Sequence, residues 1–234
     1  MALFFKRLFG KPAAPPVRPR RPAAGRPRTS TSTPPPPGRR PHGPTAPAAY
    51  ALVVDESDST SARFHTTGGG ATSRIVAIRR AAGDFLRQLA RSNPRQLAGV
   101  VGFSRFSRLV HPLVPVGPGL GHLLGAVQSL RPDGVTNLSA GLGMALGELQ
   151  RARTRHRNLV VITDGAANED VEQLPGLLRR AQSARVRIFT IGVGNRKDGD
   201  YDRDLLLRLA KATGGRFSSA HSFGALCQAL RRVA

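Results

Sequence analysis

The sequence is poor in the residues that build several common classes of protein. Its 234 residues include one cysteine, no tryptophan and six histidines. One cysteine cannot form an intramolecular disulfide, which excludes a small disulfide-stabilised secreted module. No apolar run approaches the roughly 20 residues that cross a bilayer as a helix. The histidines are scattered, without the spacing of a zinc site or a hydrolase triad, so we expect no enzymatic activity.

Acidic residues are also scarce, and they are absent from the first 49 residues. The chain carries 36 Lys and Arg against 14 Asp and Glu, a net charge of +22, and 10 of these basic residues lie within residues 1–49. The same stretch holds 13 of the 19 prolines. Proline removes backbone donors, so residues 11–49 are predicted to be a disordered linker. The linker is either a plain spacer or a ligand for a proline-recognising or anionic partner.

The first ten residues, MALFFKRLFG, differ from the linker that follows. If helical, this segment places Leu3, Phe4 and Phe5 on one side and its two basic residues on another. The apolar stretch is short and interrupted by charge, which is not typical of a signal peptide. We therefore expect a cytoplasmic protein. The segment 1–10 is interpreted as a peripheral membrane anchor or a protein-docking peptide, with an idle terminus as the alternative.

From Tyr50 onward, apolar runs and helical periodicity alternate along the chain. This pattern predicts a domain over residues 50–234 of α/β class, doubly wound and Rossmann-like, with helices on both faces of a mostly parallel six-stranded sheet. Two runs that are separated by only a few residues predict one antiparallel edge strand, which tolerates Pro112. The predicted strands cover 50–54, 97–103, 108–114, 158–163, 186–193 and a short stretch near 215–217. The predicted helices cover about 75–92, 120–130, 137–153, 171–183, 205–212 and 223–233.

Oxygen-bearing side chains follow the ends of two of these strands and precede one helix. Asp55, Ser57 and Ser59 follow the first strand, Asp164 follows the strand 158–163, and Thr136 precedes a helix. In open α/β sheets, ligands bind beyond the carboxyl ends of the strands. Carboxylates and hydroxyls suit a hard divalent cation, whereas zinc prefers clustered His and Cys.

These segments resemble the metal-ion-dependent adhesion site (MIDAS) of von Willebrand factor A (VWA) domains of the bacterial type. The resemblance rests on the order and spacing of the motifs 55–59, 134–138 and 163–165, and it covers roughly Tyr50 to Ala234. It implies that Ser57 and Ser59 ligate Mg²⁺ or Mn²⁺ directly and that Thr136 ligates when a partner is engaged. Asp55 and Asp164 are implied to act through bound water and by hydrogen-bonding the ligands.

The resemblance also implies a non-enzymatic protein-binding function. Neutral hydroxyl ligands leave the cation short of negative charge, so it attracts a Glu or Asp side chain from a partner protein. Intracellular bacterial members of the family often work beside ATPases or assembly factors, but nothing in these residues identifies the partner. The alternative is a scaffold that binds anionic membranes or nucleic acid through its basic arm. Nucleic acid is the less favoured ligand, because residues 11–49 lack the aromatic side chains on which bases stack.

The sequence departs from the usual pattern of the family at three places. Asp58 stands where glycine is usual, Thr60 stands where methionine is common, and the segment 61–74 is longer than usual. Its three consecutive glycines suggest a flexible insert. Glu56 and Asp58 are expected to add negative charge beside the site, raising cation affinity while repelling an acidic partner. The sequence leaves open whether the metal bridges a partner or only stabilises the loops.

A second acidic run, over residues 198–204, has the composition of a calcium loop but not its spacing. The glycine and glutamate positions of such a loop are occupied by Arg203 and Leu209. We therefore expect Asp202 or a neighbouring carboxylate to cap the following helix. An auxiliary cation site is the alternative.

Overall fold

The computed structural model describes residues 46–65, 70–166, 169–194 and 200–234. The predicted terminal segment 1–10 and the predicted linker up to residue 45 lie outside the described residues. Residues Pro44–Ala234 form one compact unit. Its first strand begins at Ala48, two residues before the predicted start of the domain, because Ala48 already pairs with His156.

Six strands form the central sheet of this unit. They are β1 (Ala48–Asp55), β4 (Leu97–Phe103), β5 (Ser107–Pro115), β6 (His156–Thr163), β7 (Val186–Val193) and β8 (Phe217–Ala220). The strand order is β5-β4-β1-β6-β7-β8, and every neighbouring pair is parallel except β4 with β5. The predicted doubly wound α/β class, with one antiparallel edge strand, is confirmed. Its parallel strands are rich in Val, Ile and Leu because helices cover both faces.

In the described part of the chain, six helices form the two outer layers. They are α1 (Arg74–Ser92), α2 (Val116–Gln128), α3 (Leu138–Arg151), α4 (Leu174–Ser183), α5 (Arg203–Ala212) and α6 (Phe223–Arg231). Helices α1, α2 and α6 pack together on one face of the sheet, and α3, α4 and α5 pack on the other. Each helix directs an apolar stripe at the sheet, as the large buried residues Phe85, Leu123 and Leu146 illustrate.

Two segments differ from the sequence-based expectation. Helix α2 starts at Val116 rather than Leu120, because Pro118 falls in its first turn, where a missing amide hydrogen is tolerated. A 3₁₀ turn (Asp58–Ser61) precedes the segment 61–74, and a small antiparallel pair, β2 (Arg63–His65) and β3 (Ala71–Ser73), lies within that segment. Two of the three glycines that suggested a flexible insert, Gly68 and Gly69, lie outside the described residues.

The parallel strands define two edges of the sheet that matter for function. At the carboxyl edge, the chain leaves β1, β4, β6, β7 and β8, and at the amino edge it enters them. Because β1 and β6 are direct neighbours in parallel register, the residues that follow them emerge side by side. In the part of the chain that the structure describes, no helix is both long enough and apolar enough to cross a membrane.

Candidate metal centre

The predicted site residues after β1 and β6 meet at the carboxyl edge. The hydroxyl oxygens of Ser57 and Ser59 lie 2.9 Å apart, and the Ser59 hydroxyl donates to Asp164 Oδ1 at 2.8 Å. Ser57 is buried whereas Ser59 is exposed, so the cluster opens to solvent on one side. Parallel pairing of β1 with β6 therefore joins two motifs that are 105 residues apart in the chain.

Asp55 lies beneath these hydroxyls and is fully buried. Its Oδ1 accepts the backbone N–H of Ser57 at 2.8 Å, and its Oδ2 accepts the hydroxyl of Thr163 at 2.5 Å. Burial raises the pKa of Asp55 to about 6, against the opposing effect of the Ser57 and Thr163 hydrogen bonds, and the nearby charge of Asp164 adds to the rise. A carboxylate held in this way is poised to ionise when a cation supplies the missing positive charge.

Thr136 reaches the same place from the segment before α3. It is buried, and a Cβ placed on Gly165 would lie 2.5 Å from its hydroxyl oxygen, so a glycine at 165 lets the two loops touch. The next residue, Asn137, caps α3 by accepting the N–H of Ala140 at 3.0 Å. The Asn137 backbone N–H also donates to the Ser104 carbonyl at 2.8 Å, which ties this loop to the turn between β4 and β5.

The donor set fits a hard divalent cation. All five predicted ligand residues converge at one edge, and every group they offer is a hydroxyl or carboxylate oxygen. Among the described residues, no group of three or more His, Cys, Asp or Glu forms a metal cluster. Ser57, Ser59 and Thr136 would hold the ion, with Asp55 and Asp164 behind them.

Arg74 is a component of the site that the sequence analysis missed. Its Nη1 lies 3.0 Å from Asp164 Oδ2, its Nη2 lies 2.7 Å from Asp200 Oδ2, and the side chain is 10% exposed. Burial lowers the pKa of Arg74, but the hydrogen bonds and charges of the two carboxylates raise it by more. Burial likewise raises the pKa of Asp164, and Ser59 and Arg74 partly offset this rise. No local signal pointed to Arg74, because 90 and 126 residues separate it from its partners.

The two acidic residues that were expected to surround the site behave differently from each other. Glu56 is buried, and its Oε1 accepts from Arg108 Nη2 at 2.9 Å and from the Arg131 backbone N–H at 2.8 Å. The guanidinium of Arg108 therefore compensates the charge of Glu56. The expectation that Glu56 adds negative charge beside the site was wrong. Asp58 is exposed, and it exchanges hydrogen bonds with the backbone of Gly134, so it stays an acidic neighbour of the site.

The second acidic run, residues 198–204, supplies a helix cap and one of the two carboxylates that bind Arg74. Asp202 Oδ1 accepts the N–H of Leu205 at 2.9 Å at the start of α5, which confirms the predicted capping role. Asp200 binds Arg74 instead of standing free for an auxiliary cation. Asp198 lies outside the described residues.

Comparisons with known proteins point to one family of domains. The family model of the von Willebrand factor type A domain matches residues 51–232. A solved von Willebrand factor type A structure from Catenulispora acidiphila superposes with a TM-score of 0.67 at 17% identity, covering 80% of this chain and 42% of that one. The PilB minor pilin from Streptococcus sanguinis gives a TM-score of 0.64 at 17% identity, covering 83% and 61% of the two chains. The pilus adhesin SpaC from Lactobacillus rhamnosus GG gives 0.60 at 18% identity, covering 80% and 30%.

A relative in sequence adds less functional information. A protein of Borreliella burgdorferi, named only as uncharacterized, is 24% identical over 141 residues, which cover 53% of this chain and 41% of that protein. The chain thus spans less than half the length of this relative and of the Catenulispora structure. At such identities the structural likeness concerns the fold, so the chemistry has to be argued from the residues themselves.

Proposed function

The chain belongs to the von Willebrand factor type A family, and on that premise we propose that it is a non-enzymatic, divalent-metal-dependent docking module for another protein. Domains of this family often mediate protein–protein interaction, and the similar structures include a pilin and an adhesin. The observation that carries the proposal is the convergence of the Ser57 and Ser59 hydroxyls with Asp164 at the carboxyl edge.

The neutral hydroxyls of the cluster favour an acidic ligand from the partner. Asp55 and Asp164 supply two negative charges behind these hydroxyls, and the guanidinium of Arg74 is shared between Asp164 and Asp200. A Mg²⁺ or Mn²⁺ ion in this setting keeps a net positive charge, because its direct ligands are neutral hydroxyls. The remaining coordination position then suits a Glu or Asp side chain of a partner protein.

The turn between β4 and β5 supplies a second contact for such a partner. Phe106 is 78% exposed at the tip of this turn, and the neighbouring side chains of Arg105 and Arg108 are 61% and 52% exposed. The hydrogen bond from Asn137 to Ser104 holds the turn beside Thr136. An exposed aromatic flanked by cations suits a partner segment in which an apolar side chain lies near the metal-binding acid.

Metal binding is tested first, by thermal unfolding of the full chain with chelator and with Mg²⁺. We expect Mg²⁺ to raise the unfolding temperature of the wild type, since a ligand that binds only the folded state stabilises it. Ser57→Ala and Ser59→Ala should lose this shift. Ser183→Ala, an exposed serine at the end of α4, is the matched control and should keep it. An equal Mg²⁺ shift in all four proteins would remove the site from consideration.

Partner chemistry is tested with a displayed peptide library that has one fixed Glu and randomised flanking positions. We expect Mg²⁺-dependent enrichment of peptides with an apolar residue near the Glu, and loss of that enrichment in Ser57→Ala. Phe106→Ser should retain the dependence on Mg²⁺ but lose the apolar preference. Enrichment that persists in chelator would refute metal bridging while leaving metal binding itself intact.

A further inference from the structure

The two edges of the sheet carry opposite charge. Of the 14 acidic residues in the chain, 11 lie in described segments at the carboxyl edge, Asp198 lies outside the described residues, and Asp84 and Glu148 lie within helices away from this edge. The described segments that enter β4, β6, β7 and β8 at the amino edge contain arginine and no acidic residue. The 11 acids are Asp55, Glu56, Asp58, Asp133, Asp164, Glu169, Asp170, Glu172, Asp200, Asp202 and Asp204.

A cavity of about 480 Å³ opens at the amino edge between the starts of β6 and β7. Five of its nine lining residues are four arginines and one histidine, and none is acidic. They are Arg155, His156, Arg157, Arg185 and Arg187. Among the described residues, none of the ion pairs involves these side chains.

Neutral groups hold two of these arginines in place. Arg157 donates to the carbonyls of Ala152 at 2.9 Å and Ala184 at 3.1 Å, and Arg187 donates to Asn158 Oδ1 at 3.0 Å. These acceptors orient the guanidinium groups without cancelling their charge. Arg185 adopts φ 52°, a conformation that a residue with a side chain rarely takes, in the turn that leads into β7. The sheet thus holds several like charges around one cavity, an arrangement that an anion would stabilise.

We propose that this amino edge binds the phosphate groups of an anionic phospholipid surface. Lipid phosphates require only cations, and the lining contains no Phe, Tyr or Trp side chain on which a base of single-stranded nucleic acid would stack. The chain enters β1 at Ala48, which pairs with His156 of the cavity, so residues 1–45 are attached at this edge. Those residues carry 10 Lys and Arg and the apolar side chains of the first ten positions.

Docking through the amino edge would orient the domain on the membrane. The carboxyl edge, with Ser57, Ser59 and Thr136, would then face away from the lipid and be accessible to a partner protein. The inference is independent of the proposed metal-dependent function, because the two sites share no residue. Vesicle binding is therefore expected to persist in chelator and in Ser57→Ala.

The test is flotation of the full chain with vesicles of phosphatidylcholine alone and of phosphatidylcholine mixed with phosphatidylglycerol. We expect binding only to the anionic vesicles. The double substitution Arg155→Gln with Arg185→Gln removes two exposed charges and should weaken binding about 30-fold, which corresponds to about 2 kcal/mol. The matched control, Arg63→Gln with Arg80→Gln, removes two exposed arginines away from this edge and should bind as the wild type does.

Three results would overturn the proposal. Wild-type binding by the Arg155 and Arg185 double variant would show that the cavity takes no part. An equal loss in the control pair would indicate diffuse attraction of the whole cationic chain. Release from the vesicles by duplex DNA or by inorganic phosphate, at matched ionic strength, would assign the cavity to those ligands instead.

Discussion

Replacing Asp55 with asparagine provides a sensitive test of the metal centre, because this carboxylate is fully buried and lies beneath the proposed ligands. Burial raises its pKa to about 6, from an ordinary value of 3.8. A raised acid pKa means that the folded state holds the proton more tightly than the unfolded state does. Protonated Asp55 therefore favours the folded state. Its contribution to the free energy of unfolding is complete below pH 3.8 and is lost as the pH rises through 6.

The size of the effect follows from the two pKa values. In the metal-free protein, ionisation of Asp55 is expected to cost about 3 kcal/mol by neutral pH. Asp55→Asn removes this ionisation, but it also weakens the hydrogen bonding with Ser57 and Thr163 by about 1 kcal/mol. In chelator near neutral pH, we therefore expect the variant to be the more stable protein by about 2 kcal/mol. In acid the order should reverse.

The assay is urea denaturation at several pH values, in chelator and in Mg²⁺. The difference in free energy of unfolding between Asp55→Asn and wild type isolates the contribution of this group. Added Mg²⁺ should stabilise the wild type at neutral pH, where it compensates the buried charge, and should have little effect on the variant. A difference that does not change with pH in chelator would falsify the view that Asp55 is a buried acid lacking a counter-ion.

Three further substitutions separate the contributions of the surrounding residues to stability. Arg74→Gln leaves Asp164 and Asp200 without their shared cation, so we expect a loss of about 3–5 kcal/mol in chelator. Mg²⁺ should recover more stability in this variant than in wild type, and an unchanged urea midpoint would contradict the pairing. Asn137→Ala removes the cap of α3 and should cost about 1 kcal/mol in thermal unfolding, with no loss expected if the cap is unimportant. Phe106→Ser should change the free energy of unfolding by less than about 0.5 kcal/mol, because the ring is exposed, and a larger loss would mean that it packs in the fold.

The metal centre and the membrane-binding cavity both follow from the separation of acidic and basic residues between the two edges of the sheet. Segments at the carboxyl edge carry 11 of the 14 acids, whereas the described segments that precede β4, β6, β7 and β8 carry arginines. A divalent cation would reduce the negative charge at one edge, and an anionic surface would reduce the positive charge at the other. The net charge of +22 therefore hides two local fields of opposite sign.

Much of the fold and of the site could be predicted from local sequence. Apolar runs identified β4 and β7 with their observed bounds, since burial on both faces requires continuous apolar residues. The motifs 55–59 and 163–165 follow their strands directly, so a parallel sheet was enough to bring them together. The hairpin of β2 and β3 was missed because its strands have three residues each, too few to show a period.

Interactions between distant segments could not be predicted in this way. A sequence pattern reports whether a segment is buried, but not which charged side chain from elsewhere will reach it. The order of strands and the packing of α1 bring Arg74 to Asp164 and Asp200, and the strand β5 brings Arg108 to Glu56. The same assembly gathers arginines from the starts of β6 and β7 around one cavity. The sequence by itself thus determined the α/β class and the oxygen ligands, while the tertiary structure decided how their charges are balanced, because charge balance depends on distances across the fold.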